Sequence, residues 1–456
     1  MNKIKTFFQV EQRGSTITKE ILAGVTIFLA MAYILPVNSF MLADAGLPVG
    51  GVFFATAISA ALASILMGLL ANLPVALAPG MGLNALFTYT IVNFGLGYSP
   101  QAALAAVFVS GVLFLLISLT GLRKIVINAI PRGLKLAVGA GIGFFIAFIG
   151  FKNAGIIVSS PSTFVQLGDF SHPAVLLGLF GLILVIVLFA LKVRFALIIS
   201  IGATAVIGLI LNAVGVGFMP EYNPTGMSGL WEGTSETFLM AFKGLKELFS
   251  GWEAIPIIIT LLFVDFFDTA GTLMAVGGQA GLLDDEGQIQ GGDNALIVDA
   301  VGTVVGSLLG TSTVTSYIES STGIEQGGRT GLSAIVVGIL FIASIFLYPI
   351  LSIFNGVEVA PGVVFSPVTA MALVLVGAIM FGQLKDIDWA DQAIVISAFF
   401  TVITMLLAYS IATGIAIGFV VYVIVMLAQR RFKEVSPVMY GLAAIFLLYF
   451  VMQYAL

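Results

Sequence analysis

The chain has no cysteine, a single histidine and little charge: only 9% of its 456 residues are Asp, Glu, Lys or Arg. Without cysteine there is no disulfide, no thiolate nucleophile and no cysteine metal site. A lone histidine, His172 in DFSHPAV, does not hold a metal, which needs several ligands. The sequence has no P-loop, no nucleophile–histidine pair and no metal-ligand cluster. It therefore points to no enzyme, no cofactor and no resident metal. The net charge of −5 is spread over loops and implies no nucleic-acid partner. The N-terminal MNKIKTFFQVEQRGSTITKE lacks the cleavage site of a signal peptide and reads as a cytoplasmic amphipathic lead-in.

What fills the sequence is apolar. Hydrophobic residues make up 59% of it, whereas a soluble domain carries about 25% charged residues. Such a chain cannot cover itself with wetted surface, so its solvent is the lipid bilayer. A membrane-crossing helix needs about 20 mostly apolar residues. Stretches of that kind lie near 21–43, 51–71, 75–94, 101–121, 133–151, 173–191 and 195–215, and again near 254–276, 294–309, 311–326, 331–350, 364–381, 391–409 and 411–428. A further apolar stretch covers 437–455, and its crossing is left open. The expected fold is an all-α polytopic membrane protein, with residues 1–456 forming one transport domain. The glycine-rich 277–295 misses the calcium-loop spacing and reads as a cytoplasmic loop.

Lysines and arginines in short loops orient the chain. Lys3, Lys5, Arg13 and Lys19 precede the first span. Arg123, Lys124, Arg132 and Lys135 follow the fourth, and Lys192 and Arg194 the sixth. Arg329 follows the tenth, and Arg430, Arg431 and Lys433 follow the fourteenth. All fall on the side of the N-terminus, which is therefore expected in the cytoplasm of a cell with its spans in the cell membrane, a bacterial inner membrane.

Seven spans are an odd number, so a second set of seven enters from the opposite side, as in the inverted repeats of transporters. The repeats are 21–215 and 254–428. Aligning 65–85 with 303–323 places Gly68 on Gly306 and Leu70 on Leu308, and 133–145 resembles 369–381 in pattern. The third span, LPVALAPGMGLNALFTYTIVNF, carries Pro74, Pro79, Gly80 and Gly82 in its first half. Unpaired backbone in hydrocarbon costs several kcal/mol per group, so this segment must face protein or a cavity. An extended piece over 75–80 and a short helix from Gly82 are expected. The tenth span, GTSTVTSYIESSTGIEQGG, begins with a Thr/Ser run, carries Glu319 and Glu325, and invites the same reading.

Asp265 and Asp268 sit about ten residues into the eighth apolar run, IPIIITLLFVDFFDTAGTLMAVGG, near mid-membrane by helical rise. Their i, i+3 spacing puts them on one face. A charge at the bilayer centre costs about 2.5–3.5 kcal/mol or more, which makes such acids functional candidates. A carboxylate that is protonated in one state and ionised in another couples proton movement to substrate movement. It also hydrogen-bonds the N–H edge of a heterocyclic amide. The residues thus point to a proton-linked secondary transporter with an acidic mid-membrane site.

Four stretches carry a resemblance: ILAGVTIFLAMAYILPVN (21–38), APGMGLNA (78–85), FVDFFDTAGTL (263–273) and TSTVTSYIESSTGIEQGGRTGL (311–332). Together they resemble the nucleobase–cation symporter family, in its AzgA-like branch of adenine/guanine/hypoxanthine permeases. The resemblance implies a seven-plus-seven inverted repeat, with a core domain (spans one to four and eight to eleven) moving against a gate domain. It implies purine-binding residues at Asn84, Gly82, Asp265, Glu319 and Ser320, with Asp268 and Thr269 beside them. Asp265, Asp268 and Glu319 are the expected proton-coupling acids, and Tyr33, Phe266 or Phe267 the rings that would stack on the purine. The implied partners are a purine nucleobase, a proton rather than sodium, and a second copy of the chain through the gate. The alternatives are a uracil or xanthine transporter, a sulfate- or bicarbonate-type anion carrier of the same architecture, or a channel. An acid at the site disfavours an anion.

Overall fold

Lipid offers a peptide group no hydrogen bond, so a spanning segment must satisfy its backbone internally, and helices dominate the protein. A computed structural model describes residues 2–93, 97–120, 130–222, 226–282, 289–361 and 363–455. Its first half runs α1 (Asn2–Phe7), α2 (Ile17–Met31), α3 (Ile34–Ala43), α4 (Val49–Leu66), β1 (Leu77–Pro79), α5 (Met81–Ala85), α6 (Pro100–Thr120), α7 (Arg132–Asn153), β2 (Ile157–Ser160), β3 (Phe164–Leu167), α8 (Pro173–Ala190) and α9 (Ala196–Ala213). Then follow α10 (Met227–Thr237), α11 (Met240–Leu248), α12 (Ala254–Ala280), α13 (Gly292–Leu309), β4 (Val314–Ser316), α14 (Ser320–Glu325) and α15 (Gly331–Ala343). The chain ends with β5 (Val357–Ala360), β6 (Val363–Phe365), α16 (Ala370–Phe381), α17 (Gln392–Leu407), α18 (Ile411–Ala428) and α19 (Pro437–Ala455). Side chains start several of these helices: Thr16 accepts from Lys19 N, Thr330 from Leu332 N, Asp391 from Ala393 N and Ser410 from Thr413 N.

Among the described residues, ten helical segments are long and apolar enough to cross a membrane. The remaining four expected spans are the two broken ones, Leu77–Asn93 and Val314–Glu325, and two shorter helices, α16 and α17. The fold is the seven-plus-seven inverted repeat with core and gate. In the core, α15 packs on α2 and α4, and α13 on α4 and α6. In the gate, α7 packs on α16 and α17, α17 on α18, and α8 on α9. The outward side chains of the gate helices are apolar, among them Ile183, Ile186, Phe189 and Phe399, as lipid contact requires. Arg123, Lys124 and residues 283–288 of the glycine-rich stretch lie outside the described residues. The start of that stretch is not a loop: α12 continues through Gly277 and Gly278 to Ala280, with Gly281 ending it in the left-handed conformation (φ 69°).

Candidate functional site

The two broken spans meet inside the core. β1 and β4 pair antiparallel, with Leu77 opposite Ser316, Ala78 opposite Thr315 and Pro79 opposite Val314. Gly80 N donates to Thr313 O and Tyr317 N to Ala76 O, each at 2.9 Å. Backbone groups that this short ladder leaves unpaired find hydroxyls. Ser64 Oγ on α4 accepts from Leu77 N at 3.0 Å, Thr303 Oγ1 on α13 accepts from Val314 N at 3.2 Å, and Ser320 Oγ accepts from Ala76 N at 3.0 Å. Within the tenth span Ser320 serves the strand backbone in this way, whereas Ser312, Thr315 and Ser316 bond the side chains of Asn84, Asp268 and Asp299.

Each strand leads into a short helix, α5 after β1 and α14 after β4, and acids gather where they cross. Glu319 stands at the head of α14, and its Oε1 accepts a 2.8 Å hydrogen bond from the Tyr33 hydroxyl. Asn84 is fully buried on α5, and its Oδ1 accepts from the Ser312 hydroxyl. Asp268 Oδ2 accepts from Thr315 Oγ1 at 3.3 Å. Asp265 Oδ2 lies 3.1 Å from Thr303 Oγ1. A fourth carboxylate, Asp299 on α13, is fully buried and accepts from Thr269 Oγ1 at 2.6 Å. Thr269 in turn lies 2.8 Å from Thr315 Oγ1. Asp268 and Asp299 reach Asp265 electrostatically, and Glu319 reaches Asp268. Asp299 was not among the residues singled out from the sequence. Its signal was the same as that of Asp265, an acid inside an apolar run, here ALIVDAVGTVVG.

Six of the expected residues, Asn84, Asp265, Asp268, Glu319, Ser320 and Tyr33, therefore surround one crossing. Gly82 lies beside it and faces the gate: a Cβ there would sit 2.5 Å from Ile142 Cγ2 on α7. The two phenylalanines do not join. At about 100° per residue, Asp265, Asp268 and Thr269 share one sector of α12 while Phe267 lies nearly opposite Asp265. Phe266 is buried in a separate apolar cluster, with its ring 5.4 Å from that of Phe114. Phe267 stacks on Phe263 at 5.7 Å, and Lys135 Nζ stands 5.0 Å from its ring centre. In this packing neither ring faces the acids at the crossing. Tyr33 is present at the site through its hydroxyl. Among the described residues, no group of three or more His, Cys, Asp or Glu is arranged to hold a metal ion.

Residues 18–417 match the model of Xan_ur_permease, described as the Permease family. The chain belongs to this permease family. Among its relatives, the guanine/hypoxanthine permease PbuG of Bacillus subtilis is 47% identical over 98% of this chain and 99% of its own length. The adenine permease AdeP of Escherichia coli is 36% identical, over 98% and 95%. Among solved structures, the transmembrane domain of the cyanobacterium bicarbonate transporter BicA superposes with a TM-score of 0.62 at 13% identity, covering 89% of this permease and 97% of that chain. At that identity the likeness establishes the fold alone. The described ion pairs of this permease are Lys5–Glu11, Arg431–Asp391 and Arg431–Glu434, so none of the four acids at the crossing is neutralised by a described cation. A ligand meeting them finds hydrogen-bond acceptors if they are ionised and donors if they are protonated.

Proposed function

We propose that this permease imports purine nucleobases, guanine or hypoxanthine and also adenine, by proton symport. The carrying observation is the set of carboxylates beside the paired half-spans, Asp265 and Asp299 buried and Asp268 and Glu319 half-buried. Glu319, fixed by Tyr33, accepts the N–H edge of the purine, and Asn84 bonds a ring nitrogen or carbonyl. Asp265, with Asp268 beside it, holds the coupled proton. A neutral planar heterocycle suits a water-poor site lined by hydroxyls and carboxyls, whereas an anion is repelled by it. The names of the guanine/hypoxanthine and adenine relatives support guanine, hypoxanthine and adenine over uracil or xanthine. Residues 21–215 and 254–428 form the two repeats, with 437–455 outside both. Alternating access arises when the core carries the site past the gate helices, with the N-terminus in the cytoplasm.

The test is uptake of radiolabelled hypoxanthine into cells lacking their own purine carriers. Adenine, guanine, uracil and xanthine serve as competitors, with and without a protonophore. Purine-blocked uptake that collapses with the proton gradient supports the reading. Uptake that survives the protonophore but needs sodium removes the proton. No uptake by protein present in the membrane removes the substrate class.

A further inference from the structure

Thr303 is asked for more hydrogens than it has. Its Oγ1 lies 3.1 Å from Asp265 Oδ2 and 3.1 Å from Val314 O, and it accepts from Val314 N at 3.2 Å. A threonine hydroxyl donates one hydrogen bond. With one lone pair taken by Val314 N, the single hydrogen is contested between a carboxylate and a backbone carbonyl.

The carbonyl has no other claimant across the sheet. In an antiparallel ladder, alternate residue pairs exchange the hydrogen bonds. Here those bonds fall on Ala76–Tyr317 and Gly80–Thr313. Leu77 and Val314, the first residues of β1 and β4, therefore turn their N–H and C=O outwards. The two repeats meet this need with the same device. Ser64 Oγ accepts from Leu77 N at 3.0 Å and donates to Leu77 O at 3.2 Å. The described bonds of Ser64 include no carboxylate, so its hydrogen rests on the carbonyl. Thr303 is its counterpart, with Asp265 added.

Building on the proton-symport reading, we propose that Thr303 is a positioning residue that transmits the proton on Asp265 to strand β4. When Asp265 is ionised, the hydroxyl hydrogen turns to Oδ2, and Val314 O is left without its donor in a buried setting. When Asp265 takes up a proton, its own O–H donates to Thr303 Oγ1, and Thr303 gives its hydrogen to Val314 O, as Ser64 does to Leu77 O. One proton is added and one hydroxyl rotates; no other bond changes. The groups that act electrostatically on Asp265 are acids, Asp299 from α13 and Asp268 from its own helix. Glu319 and Tyr317, from the β4–α14 segment, face Asp268 in turn. The protonated arrangement fixes β4, which carries Thr315, the partner of Asp268, and leads into Glu319. Proton binding thereby organises the groups proposed to receive the purine.

The experiment compares Thr303→Val, which keeps the shape and removes the hydroxyl, with Thr303→Ser, which keeps the hydroxyl. Wild-type KM for hypoxanthine should rise with pH, by at most about tenfold per unit for one linked proton. Thr303→Ser should keep that slope and Thr303→Val should lose it. Ser64→Ala removes the matching hydroxyl where no acid competes, and should lower the rate while keeping the wild-type slope. A wild-type slope in Thr303→Val, or a flattened one in Ser64→Ala, overturns the proposal. A second readout needs no transport: the infrared carbonyl band of protonated carboxyl in purified protein. The band abolished by Asp265→Asn should move in Thr303→Val and stay in place in Ser64→Ala. A band unmoved by Thr303→Val overturns the switch even if purines prove not to be the substrate. If hypoxanthine is not carried while the band moves, the substrate reading fails and the switch stands.

Discussion

The Tyr33 hydroxyl donates a 2.8 Å hydrogen bond to Glu319 Oε1 across 286 residues of sequence. It ties the break between α2 and α3 to the head of α14. A hydrogen bond to a charged group contributes about 1.5–3 kcal/mol. If that bond aims Glu319 at the substrate, its loss should appear in binding. Tyr33→Phe, which keeps the ring, should raise KM for hypoxanthine by roughly tenfold, and Tyr33→Leu should do no worse. A silent Tyr33→Phe with a damaging Tyr33→Leu would instead return the residue to a stacking role.

Asp299 should matter as much as the acids recognised from the sequence. It is fully buried, and its 2.6 Å bond with Thr269 connects through Thr315 to Asp268. Removing one member of a buried network leaves the others unsatisfied, at about 1–3 kcal/mol each. Asp299→Ala, Asp265→Ala and Glu319→Ala should each reduce hypoxanthine uptake by at least about tenfold at unchanged membrane levels. Measured uptake per copy of protein decides this, and normal kinetics in any of the three would remove that residue from the site.

The parts of this arrangement that were legible in the sequence are those where local chemistry conflicts with a lipid-facing helix. Pro74, Pro79 and Gly80 break a span, the Thr/Ser run breaks its mate, and Asp265 and Asp268 interrupt an apolar stretch. Each conflict is visible without knowing any neighbour. What stayed hidden depends on helix rotation and distant partners. Phe266 and Phe267 lie between Asp265 and Asp268 in sequence, but which face of α12 meets the crossing is decided by α6 and α13, where Phe114 and Thr303 lie. The partner of the Tyr33 hydroxyl is set only when the two repeats interlock. Asp299 was readable in principle, since ALIVDAVGTVVG carries the same intramembrane acid.

Gly82 should be required for the approach of the gate, and its defect should be repairable. Around Ile142, helix α7 carries glycines that seat it against its own bundle. A Cβ at Gly139, Gly141 or Gly143 would lie 2.1 Å from Gln383 Oε1, 2.6 Å from Met405 Sδ or 2.6 Å from Met380 Cβ. Ile142 is thus held on a rigid helix and meets Gly82 with a β-branched side chain that has little freedom to turn aside. Gly82→Ala should cost about 1–3 kcal/mol of core–gate closure, roughly a tenfold loss of uptake. Gly82→Ala combined with Ile142→Ala should recover most of it. A double variant as poor as Gly82→Ala alone would mean that the glycine serves the ligand and not the gate.

The last prediction concerns acid, outside the membrane-spanning segments. Asp391, the cap of α17, accepts from Arg431 Nη1 at 2.9 Å and from Nη2 at 3.0 Å, and Arg431 also binds Glu434. Hydrogen bonds from the Arg431 guanidinium hold the Asp391 and Glu434 carboxyls below their ordinary range, while Glu434 and Asp391 hold Arg431 above its own. Lone surface pairs contribute little, but this one is bidentate, shared and placed at a helix start. Because the folded carboxyl is the stronger acid, its stabilisation is complete above the unfolded Asp value of about 3.9. It fades as pH falls below that value and through the lowered folded one. The melting temperature of detergent-purified Asp391→Asn should therefore lie below wild type at neutral pH, with the gap closing below about pH 4. A gap that stays constant or widens in acid would show that Asp391 does not act through its charge.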